Sequence, residues 1–540
     1  MARSRLFDGF IRSVKTALEA MHQGISTDDA LAERTRAEES HLSRRSLLGG
    51  MAAVTGAAAV SAVTKNLQAA PQTSQPRIAI IGAGLSGLAC ADKLRARGIA
   101  AIMYEANPSR VGGRCHSLRS FPGQTAEYGG ELIDTGHKAM LAYAQEFNLA
   151  KEDLTKQPGV QSYYIGGVHY TEAQVIDELR VLIGRMRADT ALISKAPSLA
   201  AHTADDEYYD NLSLEEYLDM RAGDLPLVRA VIKAAYTGEY GLDISEQSSL
   251  DFLLYIAGNR RAKFEPFGSS DERYHLVNGN DQIATGIRDR LTGPINMGAF
   301  VERLRKTASG KIAIKLVGSS QEDQVDAAVL AIPLSVLRTI QLDPSLGLSA
   351  DKLRAINELG YGKNAKMMVA FDSRPWAAQG RTGSSYADLA KIQNTWETNY
   401  TQATSSRGII TNFTGGDLAE SLQLGPQSAQ VIQAQTDDFL DDLNLIFPGS
   451  KAAARKSGND YVVEVAHWLT NPFALGSYTC YKPGQFTTIC GIEGEPAGPV
   501  FFAGESANSF YMYQGFMEGA VLAGQDAAYQ VLHALKTGQI

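Results

Sequence analysis

Residues 77–114 read RIAIIGAGLSGLACADKLRARGIAAIMYEANPSRVGGR, and this stretch decides the fold. Ile78 to Ile81 is a short apolar run, which is typical of a buried parallel strand. A GxGxxG pattern follows it, and helix-forming residues then run from Leu85 to Arg97. A second strand is predicted from Ile99 to Tyr104. The order strand, glycine turn, helix and strand predicts a Rossmann-type α/β unit.

The three glycines of the pattern each have a physical reason. Gly82 allows the tight turn, Gly84 lets the backbone approach a pyrophosphate, and Gly87 allows the helix to pack closely on the strand. The positive end of the helix then faces the phosphates. Glu105, at the end of the second strand, is placed to accept hydrogen bonds from a ribose. The stretch predicts a dinucleotide site rather than a merely structural turn, and both FAD and NAD use this pattern.

Two further glycine turns narrow the choice of nucleotide. Gly112, Gly113 and Arg114 form a turn that resembles the GGR after the Rossmann motif in the flavin amine oxidase family. The segment AEYGGELID, residues 126–134, resembles that family's next flavin-contacting loop. The resemblance therefore implies FAD rather than NAD.

The resemblance extends to the other end of the chain. Residues 500–532, VFFAGESANSFYMYQGFMEGAVLAGQDAAYQVL, look like the family's closing strand, loop and helix. Residues 274–291 and 326–340 resemble the part that returns to the nucleotide fold, although Asn278-Gly279-Asn280 replaces the usual paired glycine. In all, the resemblance covers residues 77–535.

The resemblance also implies how the cofactor is held. Glu505 is expected to bind ribityl hydroxyls, and the helix that opens at Gly515 to Ala520 is expected to direct its first amides at the flavin. Monoamine oxidases attach their flavin through a cysteine where this chain has Ser477, so the FAD is predicted to be non-covalent. The residues expected at the cofactor are Gly82, Gly84, Leu85, Ser86, Gly87, Glu105, Ala106, Gly112, Gly113, Arg114, Gly129, Gly130, Glu131, Leu132, Val301, Trp468, Gly504, Glu505, Gly515 and Met517.

Three residues are predicted to run the chemistry. By resemblance, Lys366, ten residues before Trp376, is matched to a lysine that hydrogen-bonds a water at flavin N5, and burial would favour its neutral form. The alternative is an ordinary surface lysine. Tyr478 and Phe516 match the family's aromatic cage, which orients the substrate nitrogen in front of the flavin.

The implied reaction is FAD-dependent oxidative deamination of an amine or L-amino acid. Hydride passes to flavin N5, the imine hydrolyses, and oxygen is reduced to hydrogen peroxide. Three alternatives stay open: a tryptophan 2-monooxygenase-like oxidative decarboxylation to an amide, a carotenoid-type flavin desaturase, and a flavin-binding protein without turnover.

The choice between amine and amino acid depends on charges in the site. An amino-acid oxidase needs a cation for the substrate carboxylate. Many L-amino acid oxidases carry arginine where this chain has Leu132, and Arg260 or Arg261 could supply the charge instead. Glu131, if it faced the cavity, would favour a second amino group on the substrate.

The predicted fold class is α/β, with two domains. A Rossmann-type FAD-binding domain is expected from the discontinuous segments 76–135, 272–342 and 490–540. An α+β substrate domain with a mixed sheet and helices is expected from residues 136–271 and 343–489, with helices between residues 171 and 236.

Composition limits the other function classes. With 540 residues, 44% hydrophobic and 20% charged, the chain can bury one large core or two moderate ones. A net charge of -8 offers no broad basic surface for nucleic acid. The nine histidines and four cysteines contain no metal-binding spacing, and Cys480 with Cys490 could form an optional bridge. A homodimer is left open.

Residues 43–56, SRRSLLGGMAAVTG, are typical of a twin-arginine export signal for folded cargo. Ser46 to Thr64 carries no charge but is too weakly hydrophobic for a stable membrane span. A linker follows at Gln68 to Pro76, and cleavage is expected near Ala69 or Ala70. An exposed basic turn before a core helix is the alternative.

The export signal implies the twin-arginine translocon as a partner and a periplasmic or extracellular location. Such a route suits an FAD that is bound in the cytoplasm before transport. Upstream, residues 5–21 have the apolar spacing of an amphipathic helix. We expect this helix to be discarded with the signal, and a membrane-surface or chaperone contact is the alternative.

Overall fold

The computed structural model describes residues 5–35, 76–257, 271–398, 400, 406–423, 428–507 and 513–540. The paired-arginine stretch 43–56, the apolar run 46–64, and the candidate cations Arg260 and Arg261 lie outside these residues.

The strands are numbered in chain order. They are β1 (Ile78–Ile81), β2 (Ile102–Glu105), β3 (Ser117–Leu118), β4 (Ala126–Glu127), β5 (Lys151–Asp153), β6 (Val160–Ile165), β7 (Val168–Tyr170), β8 (Tyr274–Leu276), β9 (Ile295–Met297), β10 (Val301–Lys306), β11 (Ile312–Leu316), β12 (Glu322–Val325), β13 (Ala327–Leu330), β14 (Gln341–Leu342), β15 (Ala365–Phe371), β16 (Arg381–Ala387), β17 (Asn394–Glu397), β18 (Gly408–Thr414), β19 (Lys456–Ser457), β20 (Asp460–Tyr461), β21 (Val463–His467) and β22 (Val500–Phe502).

The α-helices are numbered in the same way. They are α1 (Arg5–Gln23), α2 (Leu85–Arg95), α3 (Lys138–Glu146), α4 (Glu172–Met186), α5 (Asp189–Leu192), α6 (Ala204–Asn211), α7 (Leu214–Ala222), α8 (Pro226–Tyr240), α9 (Ser249–Ala257), α10 (Gln282–Arg290), α11 (Leu334–Leu337), α12 (Ala350–Glu358), α13 (Pro375–Ala378), α14 (Gly416–Gln423), α15 (Ala429–Ile446), α16 (Ser450–Ala453), α17 (Gln485–Thr488) and α18 (Met517–Thr537). Residues 27–35 are also helical.

A five-stranded parallel sheet forms the centre of the nucleotide-binding part. Its strands lie in the order β22, β13, β1, β2 and β9, and all neighbours run parallel. β1 and β13 are apolar and buried along their whole length, as expected for a sheet covered on both faces. Because its strands come from widely separated parts of the chain, this is a Rossmann-type domain assembled from discontinuous segments.

The glycine turn between β1 and α2 depends on close backbone contacts. Gly82 has a φ of +101°, which a side chain would strain. A Cβ on Gly87 would lie 2.0 Å from the carbonyl oxygen of Gly82. α2 begins at Leu85, as predicted, and it lies against α18, where a Cβ on Gly524 would come within 2.0 Å of the Ser86 carbonyl oxygen. The first and last helices of the nucleotide-binding part therefore pack backbone to backbone.

A mixed seven-stranded sheet forms the second part of the molecule. Its order is β21, β15, β18, β17, β16, β6 and β7; β16 and β6 run parallel, whereas the other neighbours run antiparallel. β15 is buried along its whole length and carries Lys366. The helices predicted between residues 171 and 236 are present as α4 to α8. The predicted combination of mixed sheet and helices is confirmed.

The amphipathic helix predicted over residues 5–21 is present as α1, and the protein itself covers its apolar face. Phe10, Ile11 and Val14 are buried in the same core as side chains of α4 and α8. Apolar periodicity predicted the apolar face of the helix but not the protein surface that covers it. None of the described helices combines the length and apolar character that crossing a bilayer would require.

The four cysteines are buried free thiols. The optional bridge between Cys480 and Cys490 is therefore not formed.

Replacing Gly87 by alanine should destabilise the nucleotide-binding part. The added Cβ meets a backbone oxygen that cannot move without distorting the turn, and overpacking of this kind costs roughly 1–3 kcal/mol. Gly136→Ala is the matched control, because nothing lies within 4 Å of its Cβ position. Urea unfolding should show a clear loss for the first variant and little change for the second. Equal stability of both would contradict the close packing described here.

Candidate active site

One continuous cavity runs from the glycine turn to the residues expected to carry the chemistry. Of the predicted site residues, Gly87 does not line this cavity, because it lies beneath the glycine turn. The predicted residues that line the cavity are Gly82, Gly84, Leu85, Ser86, Glu105, Ala106, Gly112, Gly113, Arg114, Gly129, Gly130, Glu131, Leu132, Val301, Lys366, Trp468, Tyr478, Gly504, Glu505, Gly515, Phe516 and Met517.

Glu105 ends β2 and is held by the backbone of two loops. Its carboxylate oxygens accept hydrogen bonds from the N–H groups of Ala83 and Asn107, both at 2.7 Å. Burial raises the pKa of Glu105, and these two N–H donors act in the opposite direction. Each oxygen keeps a further lone pair, so the carboxylate can still accept a ribose hydroxyl.

Arg114 and Glu505 join the second glycine turn to the closing segment of the chain. Their side chains form an ion pair at 2.9 Å, and the same guanidinium nitrogen donates to the Ser477 carbonyl oxygen at 2.7 Å. The Thr479 hydroxyl and the Gly515 N–H donate to the second carboxylate oxygen of Glu505, at 2.8 and 3.0 Å. Segments from three parts of the chain therefore meet at this ion pair.

Lys366 is buried in the wall of the cavity and has three protein acceptors. Its Nζ lies 2.8 Å from a carboxylate oxygen of Glu131, and it donates to the carbonyl oxygens of Gly129 and Glu127 at 2.9 and 3.1 Å. An ammonium group has three N–H donors, so these contacts use all of them. The ion pair with Glu131 compensates the cost of burying the charge. Lys366 is thus not a surface lysine, and a water at the flavin would have to replace one of these acceptors.

Both carboxylate oxygens of Glu131 have protein partners. The second oxygen accepts a hydrogen bond from the indole N–H of Trp396 at 2.9 Å. The ring of Phe413 lies next to that indole, with the centroids 5.4 Å apart. Glu131 does line the cavity, but its charge is matched by Lys366 and not left for a second amino group of a substrate.

The loop that carries Glu131 is fixed by the turn that departs from the family pattern. Asn278 and Gly279 take φ values of +66° and +105°. Asparagine tolerates this left-handed region better than most side chains, so it can replace the first glycine. The amide of Asn280 donates to the carbonyl oxygens of Glu131 and Gly130, at 2.7 and 3.1 Å. This turn therefore contacts the loop that carries Glu131.

The aromatic end of the cavity rests on α8. The Tyr478 hydroxyl donates to the Gly238 carbonyl oxygen at 3.2 Å, and the Asn364 amide donates to the same oxygen at 2.7 Å. Ser477 donates in turn to the Asn364 carbonyl oxygen at 2.6 Å. Phe516 directly precedes α18, and its ring lies 5.4 Å from that of the buried His137. Burial lowers the pKa of His137 to about 3, so this neighbour is neutral.

Several lining residues were not predicted. Their common feature is that they reach the cavity through long-range sheet and loop contacts, with no local motif; they are Arg110, Phe300, Asn364, Trp396, Phe413, Asn471 and Phe473. Alternation in β17 indicates that Trp396 faces one side of a sheet, but not which side. Within the described residues, no group of three or more His, Cys, Asp or Glu side chains is arranged to hold a metal ion.

The buried pair of Glu131 and Lys366 should be strongly coupled. Removing one partner leaves the other charge buried and uncompensated, which costs roughly 3 kcal/mol or more. We therefore expect Glu131→Gln and Lys366→Met each to lower the free energy of unfolding in urea. The free energy of unfolding lost by the double variant should be smaller than the sum of the two single losses, by at least about 1 kcal/mol.

The exposed ion pair of Arg185 and Asp224 supplies the control for these single and double variants. The variants Arg185→Gln and Asp224→Asn should change stability little and additively, because solvent screens the pair. If the stability losses of Glu131→Gln and Lys366→Met were also additive, as in the control, the two side chains would not form the ion pair.

Comparisons with known proteins identify the family of the chain. A model of the family described as flavin containing amine oxidoreductase matches residues 85–532. Flavin-containing amine oxidase B of Sus scrofa is 24% identical over 477 residues, which cover 86% of this chain and 87% of that protein. The L-amino-acid oxidase of Pseudechis australis is 22% identical over 476 residues, with 85% and 87% covered. The structure of cyclohexylamine oxidase from Brevibacterium oxydans IH-35A has a TM-score of 0.71 and 21% identity, and covers 86% of this chain and 100% of that one. Because the family model spans most of the sequence, the chain belongs to the flavin-containing amine oxidoreductase family.

Proposed function

We propose that this oxidoreductase removes hydride from an amine or L-amino acid and releases hydrogen peroxide. The observation that carries the proposal is the single cavity, which joins a dinucleotide-binding turn to a buried lysine and an aromatic end. The flavin of the family and the substrate could both lie in such a cavity. Tryptophan 2-monooxygenase-like, desaturase-type and non-catalytic functions are the alternatives to be tested.

The residues present fit FAD. The cavity wall is free of side chains at Gly84 and Gly113, so phosphates can approach the backbone there. The two glycines lie close together, since a Cβ on Gly113 would be 3.2 Å from the Gly84 Cα. Glu105 and Glu505 supply fixed acceptors for hydroxyl groups at two places along the cavity. Ser477 supports non-covalent binding, because its hydroxyl cannot form the thioether that a cysteine would form.

Bound flavin would supply the hydride acceptor and the site at which oxygen is reduced to hydrogen peroxide. The protein would supply orientation and a dry environment. Tyr478 and Phe516 would orient the substrate nitrogen with their ring faces. Lys366, if it exchanged one protein acceptor for a water, could move a proton beside the flavin; its pairing with Glu131 would keep it in place. Imine hydrolysis would then give ammonia and a carbonyl product.

The charges of the cavity favour an amine over an amino acid. Among the described lining residues, Arg114 is paired with Glu505 and Lys366 with Glu131. Arg110 lies in the electrostatic field of Glu105, at the dinucleotide end. An amino acid carboxylate would therefore need a cation from outside the described residues, such as Arg260 or Arg261.

The first experiment measures hydrogen peroxide release by the FAD-loaded protein with primary amines, polyamines and L-amino acids. We expect turnover with amines and flavin reduction by the same compounds without oxygen. Turnover confined to amino acids would reverse the preference, and an amide product would favour the monooxygenase. A flavin that is bound but reduced by no compound would favour the desaturase or non-catalytic alternatives. Acid precipitation should release all flavin if binding is non-covalent.

Tyr478→Ala should lower kcat/KM for the preferred amine by roughly tenfold or more, because the substrate nitrogen loses one oriented ring face. The flavin content should stay unchanged. Tyr529→Ala, at a half-exposed position on α18, is the matched control and should keep full activity. Equal kcat/KM in both variants would remove Tyr478 from the proposed site.

We also propose export by the twin-arginine route to the periplasm or exterior. The FAD cavity needs residues from Gly82 to Met517, so the cofactor can bind only after nearly the whole chain has folded. A route for folded cargo suits such a protein.

Replacing Arg44 and Arg45 by lysine should abolish export of the flavin-loaded protein in a host with a functional twin-arginine translocon. Cell fractionation with flavin fluorescence provides the measurement. The matched control is Arg12→Lys, an exposed arginine of α1 outside the motif. Export that is unaffected by the paired substitution, or equally reduced by the control, would refute the signal.

A further inference from the structure

We propose that residues 5–35 are a permanent part of the substrate domain, which stays bound when the chain is cut within residues 36–75. This segment precedes the predicted export signal, so cleavage there would separate it covalently from the rest of the protein. The contacts described below indicate that it would remain as a non-covalent component and hold α8 in place. The inference does not depend on the proposed reaction.

The apolar face of α1 is covered from Phe10 to Ala20. The buried side chains on this face, each no more than 3% exposed, are Phe10, Ile11, Val14, Ala17 and Ala20. The backbone of α1 lies close to β6 at Gly9, where an added Cβ would be 2.2 Å from the side-chain oxygen of Gln161. The ring of Phe10 packs edge-on against Tyr236 of α8, with the centroids 6.2 Å apart. Such burial is that of a core helix and not of a detachable leader.

A half-buried polar cluster fixes the segment at α4. The carboxylate of Glu172 accepts two hydrogen bonds from Arg34, at 2.6 and 2.9 Å, and one from the Ser13 hydroxyl at 2.9 Å. Arg34 also donates to Thr16 at 3.0 Å. Burial opposes ionisation of Glu172, but Arg34 and Ser13 outweigh it and hold the pKa of Glu172 below its usual value. The ion pair therefore joins both helices of the segment to α4.

A second polar contact lies one turn further along α4. Thr27 is buried and donates to the Asp177 carboxylate, and it accepts a hydrogen bond from Arg180 at 2.9 Å. The same guanidinium donates to the Ile25 carbonyl oxygen at 3.2 Å. The turn between the two helices is thus fixed as well as the helices themselves.

The segment is connected to the aromatic end of the cavity through α8. Tyr236, which packs on Phe10, stacks on Tyr240 with centroids 5.7 Å apart. Between them, Gly238 presents the carbonyl oxygen that accepts hydrogen bonds from Tyr478 and Asn364. α1 is therefore a positioning element for this part of the cavity wall, although it does not line the cavity.

The test cuts the chain and asks whether the pieces separate. Residues 68–74 are replaced by a site for a specific protease, and the purified FAD-loaded protein is cleaved and passed over a size-exclusion column. We expect the amino-terminal fragment to elute with the remainder of the protein, in a one-to-one ratio by mass spectrometry. The proposal would be overturned if the fragment separated and the melting temperature of the remaining protein did not change.

Two variants test the contacts in the cleaved protein. Val14→Asp places a charge at a fully buried position and should release the fragment, whereas Glu19→Lys, on the exposed side of α1, should not. If Val14→Asp does not fold, Ser13→Ala with Arg34→Gln weakens only the polar cluster and should speed dissociation at least tenfold. A fragment that stays equally bound in these variants would show that the described contacts do not hold it.

Hydrogen exchange tests the positioning role separately. Release of the fragment should raise amide exchange in α8 (Pro226–Tyr240) at least tenfold and leave exchange in α2 (Leu85–Arg95) unchanged. Equal effects in both helices would indicate a general loss of stability, and no effect in α8 would refute the connection to the cavity wall.

Discussion

The ion pair between Arg114 and Glu505 is the constraint on which the rest of the site depends. It joins side chains 391 residues apart in sequence, and the same two groups contact the Ser477 carbonyl, Thr479 and Gly515. A largely buried ion pair is stabilising only with additional hydrogen bonds, and the contacts to Ser477, Thr479 and Gly515 supply such bonds. The glycine turn, the loop before the aromatic end and the closing helix must therefore all be in place together for the cofactor cavity to form.

A second ion pair follows the same principle in the substrate half. Lys366 on β15 and Glu131 in the glycine-rich loop neutralise each other, and Trp396 completes the cluster. Both charges face a cavity that is otherwise largely apolar and aromatic, so neither remains as a strong attractant for a charged substrate tail. Under the proposed amine oxidation, substrate recognition would then depend more on shape and ring contact than on charge.

The nucleotide-binding part could be predicted because the residues that specify it lie close together in the sequence. The strand, the glycines and the following helix near Gly82 lie within one short stretch, and backbone geometry dictates those residue types. The partners of Glu131 could not be predicted, since Lys366 and Trp396 lie 235 and 265 residues away and no pattern near any of them specifies the other two. Family resemblance marked Glu131 and Lys366 as separate site residues, but their mutual contact arises only because the glycine-rich loop packs against the seven-stranded sheet.

The position of α1 has a consequence for synthesis on the ribosome. α1 is made before the elements that cover it, because β6, α4 and α8 all follow it in the chain. The hydroxyl of Ser13, for example, meets that of Tyr163 across 150 residues. Before α8 has been made, the apolar face of α1 lacks the side chains of α8 that cover it, and exposed apolar surface of this kind promotes aggregation. α1 can therefore join the core only after the chain has been made as far as α8 (Pro226–Tyr240).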